Sequence, residues 1–441
     1  MTEHFLESVE HRALQIAVIG LGYVGLPVAC MLAEAGFRVT GIERSTERVA
    51  QINQGLSPIE GEEPGLADVL AAGVRGGRLR ATSDYAACRE VGAILIAVET
   101  PVGDDNKPAY AALRSALASL GPNLARGTLV IIESTIAPGT MQRVVAPALE
   151  AASGLRAGQD LYLVHCPERV MVGRLLHNLR HMPRAVGGMT PAAAQMAVAL
   201  YRTFVQADLD ATTALNAEIV KTTENTYRDV QIALANEIAL VCEDLGADVW
   251  EVRTLVNKCP YRDMHLPGAG VGGHCLPKDP WLLLTNTSAG FPARLIPAAR
   301  AVNDGMPLHV ADLVVDGLRA AGKDIRGARV AVLGYAFLEN SDDTRNSPSE
   351  ALVERLRALG AAPVVHDPYV AAYRGDLRER VAGCDAAVLM VRHNEYLRLD
   401  PRELVSWLAS PVVVDGRRLY AADAARWIYR GVGGPKRELT P

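Results

Sequence analysis

One segment constrains the fold more than any other. Gln15-Ile16-Ala17-Val18-Ile19 runs into Gly20-Leu21-Gly22-Tyr23-Val24-Gly25, then into a helical pattern from Leu26 to Ala35 closed by Gly36. The short apolar, β-branched run reads as a buried strand, and the periodic stretch after it as a helix stopped by glycine. A second strand, Arg38 to Ile42, ends at Glu43. Glycines in a G-x-G-x-x-G run let the chain turn tightly and let a pyrophosphate approach the helix N-terminus. An acid about twenty residues on is placed to hydrogen-bond a ribose 2′-hydroxyl. A lone glycine fingerprint is weak evidence; set between two strands and followed by an acid, it is specific. The expected cofactor is NAD, held by Gly20, Gly22, Tyr23, Val24, Gly25, Glu43 and Arg44. Glu43 disfavours NADP because a carboxylate repels a 2′-phosphate, and Arg44 beside it softens that preference.

Further strands are expected over Ala93–Val98, Thr128–Glu133 and Leu161–His165, spaced by helical or loop sequence as in an open parallel sheet. Ligands in such sheets bind at the C-terminal edge of the strands. That edge carries Glu99-Thr100-Pro101, Ser134-Thr135 and Cys166-Pro167-Glu168-Arg169, which makes Thr100, Thr135 and Glu168 candidate site residues.

A second signal is Gly268-Ala269-Gly270-Val271-Gly272-Gly273-His274-Cys275-Leu276-Pro277-Lys278-Asp279-Pro280. Glycines permit close backbone approach to a ligand; a thiol ending such a loop is placed to meet that ligand, and Asp279 to move a proton. A flexible loop holding a buried cysteine is the plain alternative.

From Ala214 to Leu245 the pattern is helical, a length that admits one break, and Lys221 and Asn225 fall on one face at i and i+4. A solvated face would carry the same pair. A second helical stretch runs from Pro292 to Ala321. The last 120 or so residues read as another α/β unit, with strands at Arg329–Leu333, Pro363–His366, Ala386–Met390 and Pro411–Val414. No full dinucleotide fingerprint follows Leu333. The polar turn Ser341 to Pro348 presents Arg345, a good donor to phosphate or sugar oxygens.

At 441 residues the chain is too long for a single core. The fold class expected is α/β: two Rossmann-like doubly wound domains joined by a long central helical region, divided 1–206, 207–312 and 313–441. A formal net charge of −5 argues against a generic binder of nucleic acid or membrane surfaces. Neither a long uncharged apolar run nor a secretory signal is recognised, the stretch Met1 to Arg12 being polar and acidic. Seven cysteines without framework spacing and without Cys-x-x-Cys fit free thiols in a reducing cytoplasm. No metal is expected: His265, His274, Cys259 and Cys275 match no common zinc spacing.

Taken together the segments resemble the UDP-sugar and GDP-sugar 6-dehydrogenases, the family that includes UDP-glucose dehydrogenase. The likeness spans roughly Leu14 to Ala425. It rests on Gly20 to Gly25, Glu133-Ser134-Thr135, Pro167-Glu168-Arg169-Val170, Lys221 with Asn225, Gly270 to Asp279, and Asp342 to Pro348. The resemblance implies a four-electron oxidation of a primary alcohol to a carboxylate with two NAD⁺ used in turn. Cys275 would capture the intermediate aldehyde as a thiohemiacetal, which becomes a thioester and is hydrolysed. Lys221 would stabilise the oxyanion, Asp279 accept a proton or orient water, Glu168 and Thr135 assist, and Asn225 hold an oxygen of the reacting carbon. Substrate contacts implied are Glu168, Arg169, Val170, Lys221, Asn225, Arg262, Gly272, Gly273, His274, Tyr335, Phe337 and Arg345.

Arg169-Val170 after Glu168, and His274 after Gly272-Gly273, are similar to the branch acting on N-acetylhexosamines, the UDP-N-acetylmannosamine dehydrogenases above all. UDP-N-acetylmannosamine is the first substrate expectation, UDP-N-acetylglucosamine the second and UDP-glucose the third. Arg169 would lie near the 2-substituent or the diphosphate. The family also implies a homodimer through the central helix, with Arg262 reaching the neighbour's site. Glu99, Val172 and Leu338 depart from the family pattern. The competing readings are a two-electron dehydrogenase of the 6-phosphogluconate or hydroxyacid type, which needs neither Cys275 nor a second α/β domain, and a non-catalytic nucleotide-sugar-binding regulator.

Overall fold

The structure, a computed structural model, describes residues 2–59, 63–103, 105–171, 173–434 and 436–438. Val172, noted above as a departure, lies outside them. The chain divides into two compact units, Met1–Glu224 with Trp281–Ala289, and Asn225–Pro280 with Gly290–Pro441.

Apolar runs such as Ile94-Leu95-Ile96 and Leu129-Val130-Ile131-Ile132 build the centre of the first sheet. Its strands are β1 (Gln15–Ile19), β2 (Arg38–Ile42), β3 (Leu79–Thr82), β4 (Ala93–Ile96), β5 (Leu129–Ile132), β6 (Tyr162–His165), β7 (Arg184–Gly188) and β8 (Leu209–Thr213). Their order is β3-β2-β1-β4-β5-β6-β7-β8. Ile16 pairs with Val39 on one side and Ala93 on the other, so the order reverses beside β1. That reversal opens the crevice where nucleotides bind in doubly wound sheets. The parallel run expected from the sequence ends at β6, because β7 pairs with it antiparallel and β8 then follows β7 in parallel. Close packing accounts for the two glycines ending β7: a Cβ on Gly187 would come within 2.6 Å of the Ala217 Cβ, and one on Gly188 within 2.4 Å of the Thr190 carbonyl.

The helix Thr2–Glu10 precedes β1 and buries Phe5 and Val9. Arg12 locks its end, donating to the Val9 and Ala35 carbonyls with its guanidinium 5.1 Å from the Phe37 ring centre.

The helix Ala214–Leu245 is unbroken over 32 residues, since nothing in it is Gly or Pro. The division between the units falls inside it, between Glu224 and Asn225. The other long helix, Leu295–Ala320, accommodates Pro307 in its interior.

The second sheet comprises β9 (Arg329–Leu333), β10 (Ala362–His366), β11 (Ala386–Leu389), β12 (Val412–Asp415) and β13 (Ile428–Gly431), ordered β10-β9-β11-β12-β13 and parallel throughout. This is the other common doubly wound order. None of the seven cysteines is in a disulfide. Among the described residues no helix is long and apolar enough to cross a membrane.

Candidate active site

In the first unit, Gly20 has φ 85°, and a Cβ on Gly25 would sit 1.9 Å from the Gly20 carbonyl oxygen. Both glycines are therefore demanded by the turn itself. Gly22 differs: a Cβ there meets nothing within 4 Å. Its missing side chain leaves room for a pyrophosphate over the helix Gly25–Glu34. Glu43 accepts from the Leu21 amide at 3.2 Å and the Ser45 amide at 3.0 Å, bracing the turn. Each carboxylate oxygen retains a second lone pair for a ribose hydroxyl, so these residues fit NAD. Tyr23 is exposed and Val24 half-buried beside the turn. Arg44 is exposed and 3.9 Å from the exposed Glu99, a surface pair that contributes little.

At the ends of β4 and β5, the Thr100 hydroxyl donates to the Thr135 carbonyl at 2.6 Å, and the Ser134 hydroxyl to the Val98 carbonyl at 2.6 Å. Thr100 is thus a buried stitch, and half-buried Thr135 is the more available of the two. Behind them Glu133 is fully buried, accepting from the Tyr201 hydroxyl at 2.6 Å with Arg184 at 3.4 Å.

Lys221 is buried, and its ammonium donates to the Glu168 carbonyl at 2.7 Å, with that residue's carboxylate at 3.7 Å. The Val170 amide donates to the same carboxylate. One turn before Lys221, Glu218 accepts from the Gly139 and Met141 amides at 2.7 and 2.8 Å, tying the loop after β5 to the helix. Burial outweighs those donors and pushes the Glu218 carboxyl up to about 7. The Arg169 side chain has partners within the protein. Its planar fork is occupied by Glu224, with a further donor on the Pro183 carbonyl, because Glu224 follows Lys221 on the same helix within reach.

In the second unit, Cys275 is half-buried, and its carbonyl accepts from the Lys278 and Asp279 amides at 3.1 and 2.9 Å. Asp279 is fully buried and opens the helix Asp279–Leu284. Lys278 donates to one of its oxygens at 2.7 Å and Asn225 to the other at 2.5 Å. The sequence pointed to Asp279 and Asn225 but not to Lys278. His274 is half-buried, and burial first, then the charges of Lys278 and Arg345, lowers its basicity.

Two of the loop glycines are also required by packing within this unit. A Cβ on Gly272 would lie 2.6 Å from Phe337 Cβ and 2.7 Å from the Asn346 carbonyl, and one on Gly273 would lie 2.8 Å from the Phe337 ring. They admit the chain's own Phe337–Asn346 segment. Backbone pairing between Gly273 and Arg345 at 2.8 Å and the Asn346 amide on the Gly273 carbonyl at 3.0 Å complete the contact. Arg345 forms a fork with Asp343, at 2.9 Å through Nε, and keeps its side chain half exposed. The Tyr335 and Tyr373 rings lie tilted at 48° with their centres 4.5 Å apart. Arg262 lies exposed, its guanidinium donating to the neighbouring Tyr261 carbonyl at 3.2 Å.

A dinucleotide loop with an acid, and a second doubly wound sheet holding a thiol loop, define an NAD-dependent oxidoreductase. Comparison with known proteins agrees. Residues 14–205, 215–305 and 331–422 match, in turn, the NAD binding, central and UDP binding domains of the UDP-glucose/GDP-mannose dehydrogenase family. The chain belongs to that family. It is 40% identical over 421 residues to the UDP-N-acetyl-D-mannosamine dehydrogenase of Pyrococcus horikoshii, covering 95% of this chain and 99% of that one. The solved structure from that organism superposes with a TM-score of 0.90, over 95% of this chain and 99% of the other. The NDP-N-acetyl-D-galactosaminuronic acid dehydrogenase of Methanosarcina mazei gives 0.88 at 38% identity, over 98% of each chain.

Proposed function

We propose that the chain oxidises the C6 primary alcohol of UDP-N-acetyl-D-mannosamine to the uronic acid, supplying polysaccharide or surface-glycan assembly. The observation that carries this reading is the buried Asp279 carboxylate four residues after Cys275, held by Asn225 and Lys278. Overall, RCH₂OH, two NAD⁺ and water give RCOO⁻, two NADH and three protons. NAD⁺, when bound, supplies the hydride acceptor for each of the two oxidations. The Cys275 thiol adds to the aldehyde carbon, its proton leaving to a base; loss of a hydride from the resulting thiohemiacetal gives the thioester, and water cleaves the carbon–sulfur bond, returning the thiol. Lys221 and Asn225 stabilise the oxygen of that carbon. Asp279, fixed by Lys278 and Asn225, handles the proton, and Glu168 with Thr135 orients water.

Residues 1–206 then bind NAD through Gly20, Gly22, Tyr23, Val24, Gly25, Glu43, Arg44, Thr100 and Thr135. Residues 207–312 supply the helix and the thiol loop. Residues 313–441 hold UDP, with Tyr335, Phe337 and Arg345 beside it and Val170, Gly272, Gly273 and His274 toward the sugar. Arg169 acts on the sugar side by fixing Glu224. No metal takes part. A cytoplasmic homodimer is supported by the thiols without disulfides and by the exposed side chains Tyr227, Leu234 and Val241, which recur every seventh residue of the long helix; Arg262 then serves the neighbouring site. The name of the Pyrococcus relative supports the mannosamine epimer, and that of the Methanosarcina structure makes a galactosamine substrate the specific competitor.

The test is NADH production against a panel of UDP-sugars. Two NADH per UDP-N-acetylmannosamine are expected, with C275S failing to reach the acid. One NADH per sugar would sink the mechanism, and turnover of UDP-glucose alone would sink the choice of sugar.

A further inference from the structure

His165 closes β6, three residues before Glu168, and its side chain is completely buried. Its Nδ1 lies 2.9 Å from the Ile132 carbonyl oxygen. A carbonyl only accepts, so Nδ1 carries the proton and Nε2 is left as an acceptor. That nitrogen is buried and has no hydrogen-bond partner among the described residues. Protonation does not satisfy it either. Burial above all, with the Lys221 charge, outweighs the Ile132 hydrogen bond and pushes the ring down to about 3, so it stays neutral at ordinary pH. A buried acceptor without a donor is uncommon enough to require a cause.

The fold places that cause next to it. His165 pairs with Gly187 of β7, and Gly187 packs against Ala214 and Ala217 at the start of the long helix. Lys221 follows one turn after Ala217, close enough for its charge to act on the imidazole, and it reaches the Glu168 carbonyl just beyond β6. Within this unit the charged groups around the pair include Glu168 after β6, Glu133 at the end of β5 with Arg184 of β7, Glu218 and Glu224 on the helix of Lys221, and Arg169 bound to Glu224.

We propose that His165 is a positioning residue of the oxidation site: its Nε2 accepts a hydrogen bond from a water molecule shared with the Lys221 ammonium, which holds that ammonium charged and in place. The inference rests on Lys221 acting in the proposed oxidation. A neutral acceptor adds to the hold of the Glu168 carboxylate, 3.7 Å from the ammonium, without placing a second negative charge beside it.

Two variants separate the acceptor from the packing. H165N keeps a donor for the Ile132 carbonyl and removes the acceptor, whereas H165Q restores an acceptor near the place of Nε2. With UDP-sugar and NAD⁺, H165N should lose about 10–100-fold in kcat, the effect of one lost hydrogen bond to a charged group. Its affinity for NAD⁺ should not change. The basic limb of its kcat/KM profile should move toward acid by about one pH unit, since an ammonium stripped of an acceptor releases its proton more readily. H165Q should restore both. A merely structural role would lower the melting temperature and leave the limb where it was. Wild-type kcat and limb in H165N, or H165Q as impaired as H165N, overturns the proposal. Nitrogen-15 spectra of histidine-labelled protein read the coupling without turnover: K221M should shift the His165 Nε2 resonance, and an unmoved resonance overturns this inference. Absence of NADH from every UDP-sugar overturns the oxidation instead.

Discussion

Asn225 donates to one oxygen of Asp279 at 2.5 Å while Lys278 holds the other at 2.7 Å, and the carboxylate between them is fully buried. The two donors have different chemistry, so removing each has a different consequence. K278M leaves a buried carboxylate without its counter-charge and should cost about 3–5 kcal/mol of stability. N225A removes a neutral donor and should cost about 1–3 kcal/mol, yet lower kcat more than any comparable loss of stability explains. Urea midpoints beside NADH-release rates check both. Equal effects of the two variants on stability would contradict the assignment.

The glycine loop separates folding from binding. Gly25 is wedged against the Gly20 carbonyl, whereas Gly22 faces open space. G22A should fold with a wild-type melting temperature and bind NAD⁺ at least tenfold more weakly, about 1.4 kcal/mol, while G25A should lose both. Calorimetric titration with NAD⁺ alongside thermal melts distinguishes them.

Glu218 makes stability depend on pH in a direction opposite to most carboxylates. Its carboxyl is raised to about 7 in the folded protein, so its contribution is present below the unfolded value near 4.5 and is lost as pH rises through about 7. The neutral E218Q escapes that loss. Compared with wild type it should therefore gain stability between about pH 5 and about pH 8, by up to about 3 kcal/mol. Any donor clash in the glutamine is the same at both pH values and cancels in the difference between denaturation midpoints.

Asp367 has the ordinary sign. Burial alone would raise it, but His393 and the Ala336, Tyr335 and Tyr369 amides outweigh burial and hold its carboxyl well below the usual range. Its contribution is present above the unfolded value near 3.8 and is lost as pH falls toward the lower folded one. D367N turns acceptors toward donors and should cost about 2–4 kcal/mol near neutral pH. The gap from wild type should narrow in strong acid, read from midpoints at about pH 7 and about pH 3.

What the sequence revealed depended on how local the cause was. β1, the glycine turn and the acid ending β2 were legible because each is specified by its own few residues. The edge residues Thr135 and Glu168 followed from strand ends alone. β7 and β8 escaped because Arg184–Gly188 ends in two glycines and Leu209–Thr213 is mostly exposed, so neither carries a buried apolar run. Lys278 escaped for a geometric reason. Adjacent side chains do not face each other on a helix, and only the turn before the helix Asp279–Leu284 brings this pair together. His165 looked like one more apolar-strand residue until the acceptor on its far side was accounted for. The occupied fork of Arg169 depends on Glu224, more than fifty residues later, a pairing that no local pattern encodes.

The packing of Phe337 and Asn346 onto Gly272 and Gly273 has a bearing on exchange between relatives. The loop that presents the thiol and the segment leading out of the nucleotide-binding sheet are moulded to each other atom by atom. Grafting a foreign terminal domain to change the sugar would import a new residue opposite two positions that tolerate no side chain. Retargeting this chain therefore means moving both partners of that seam as a single cassette.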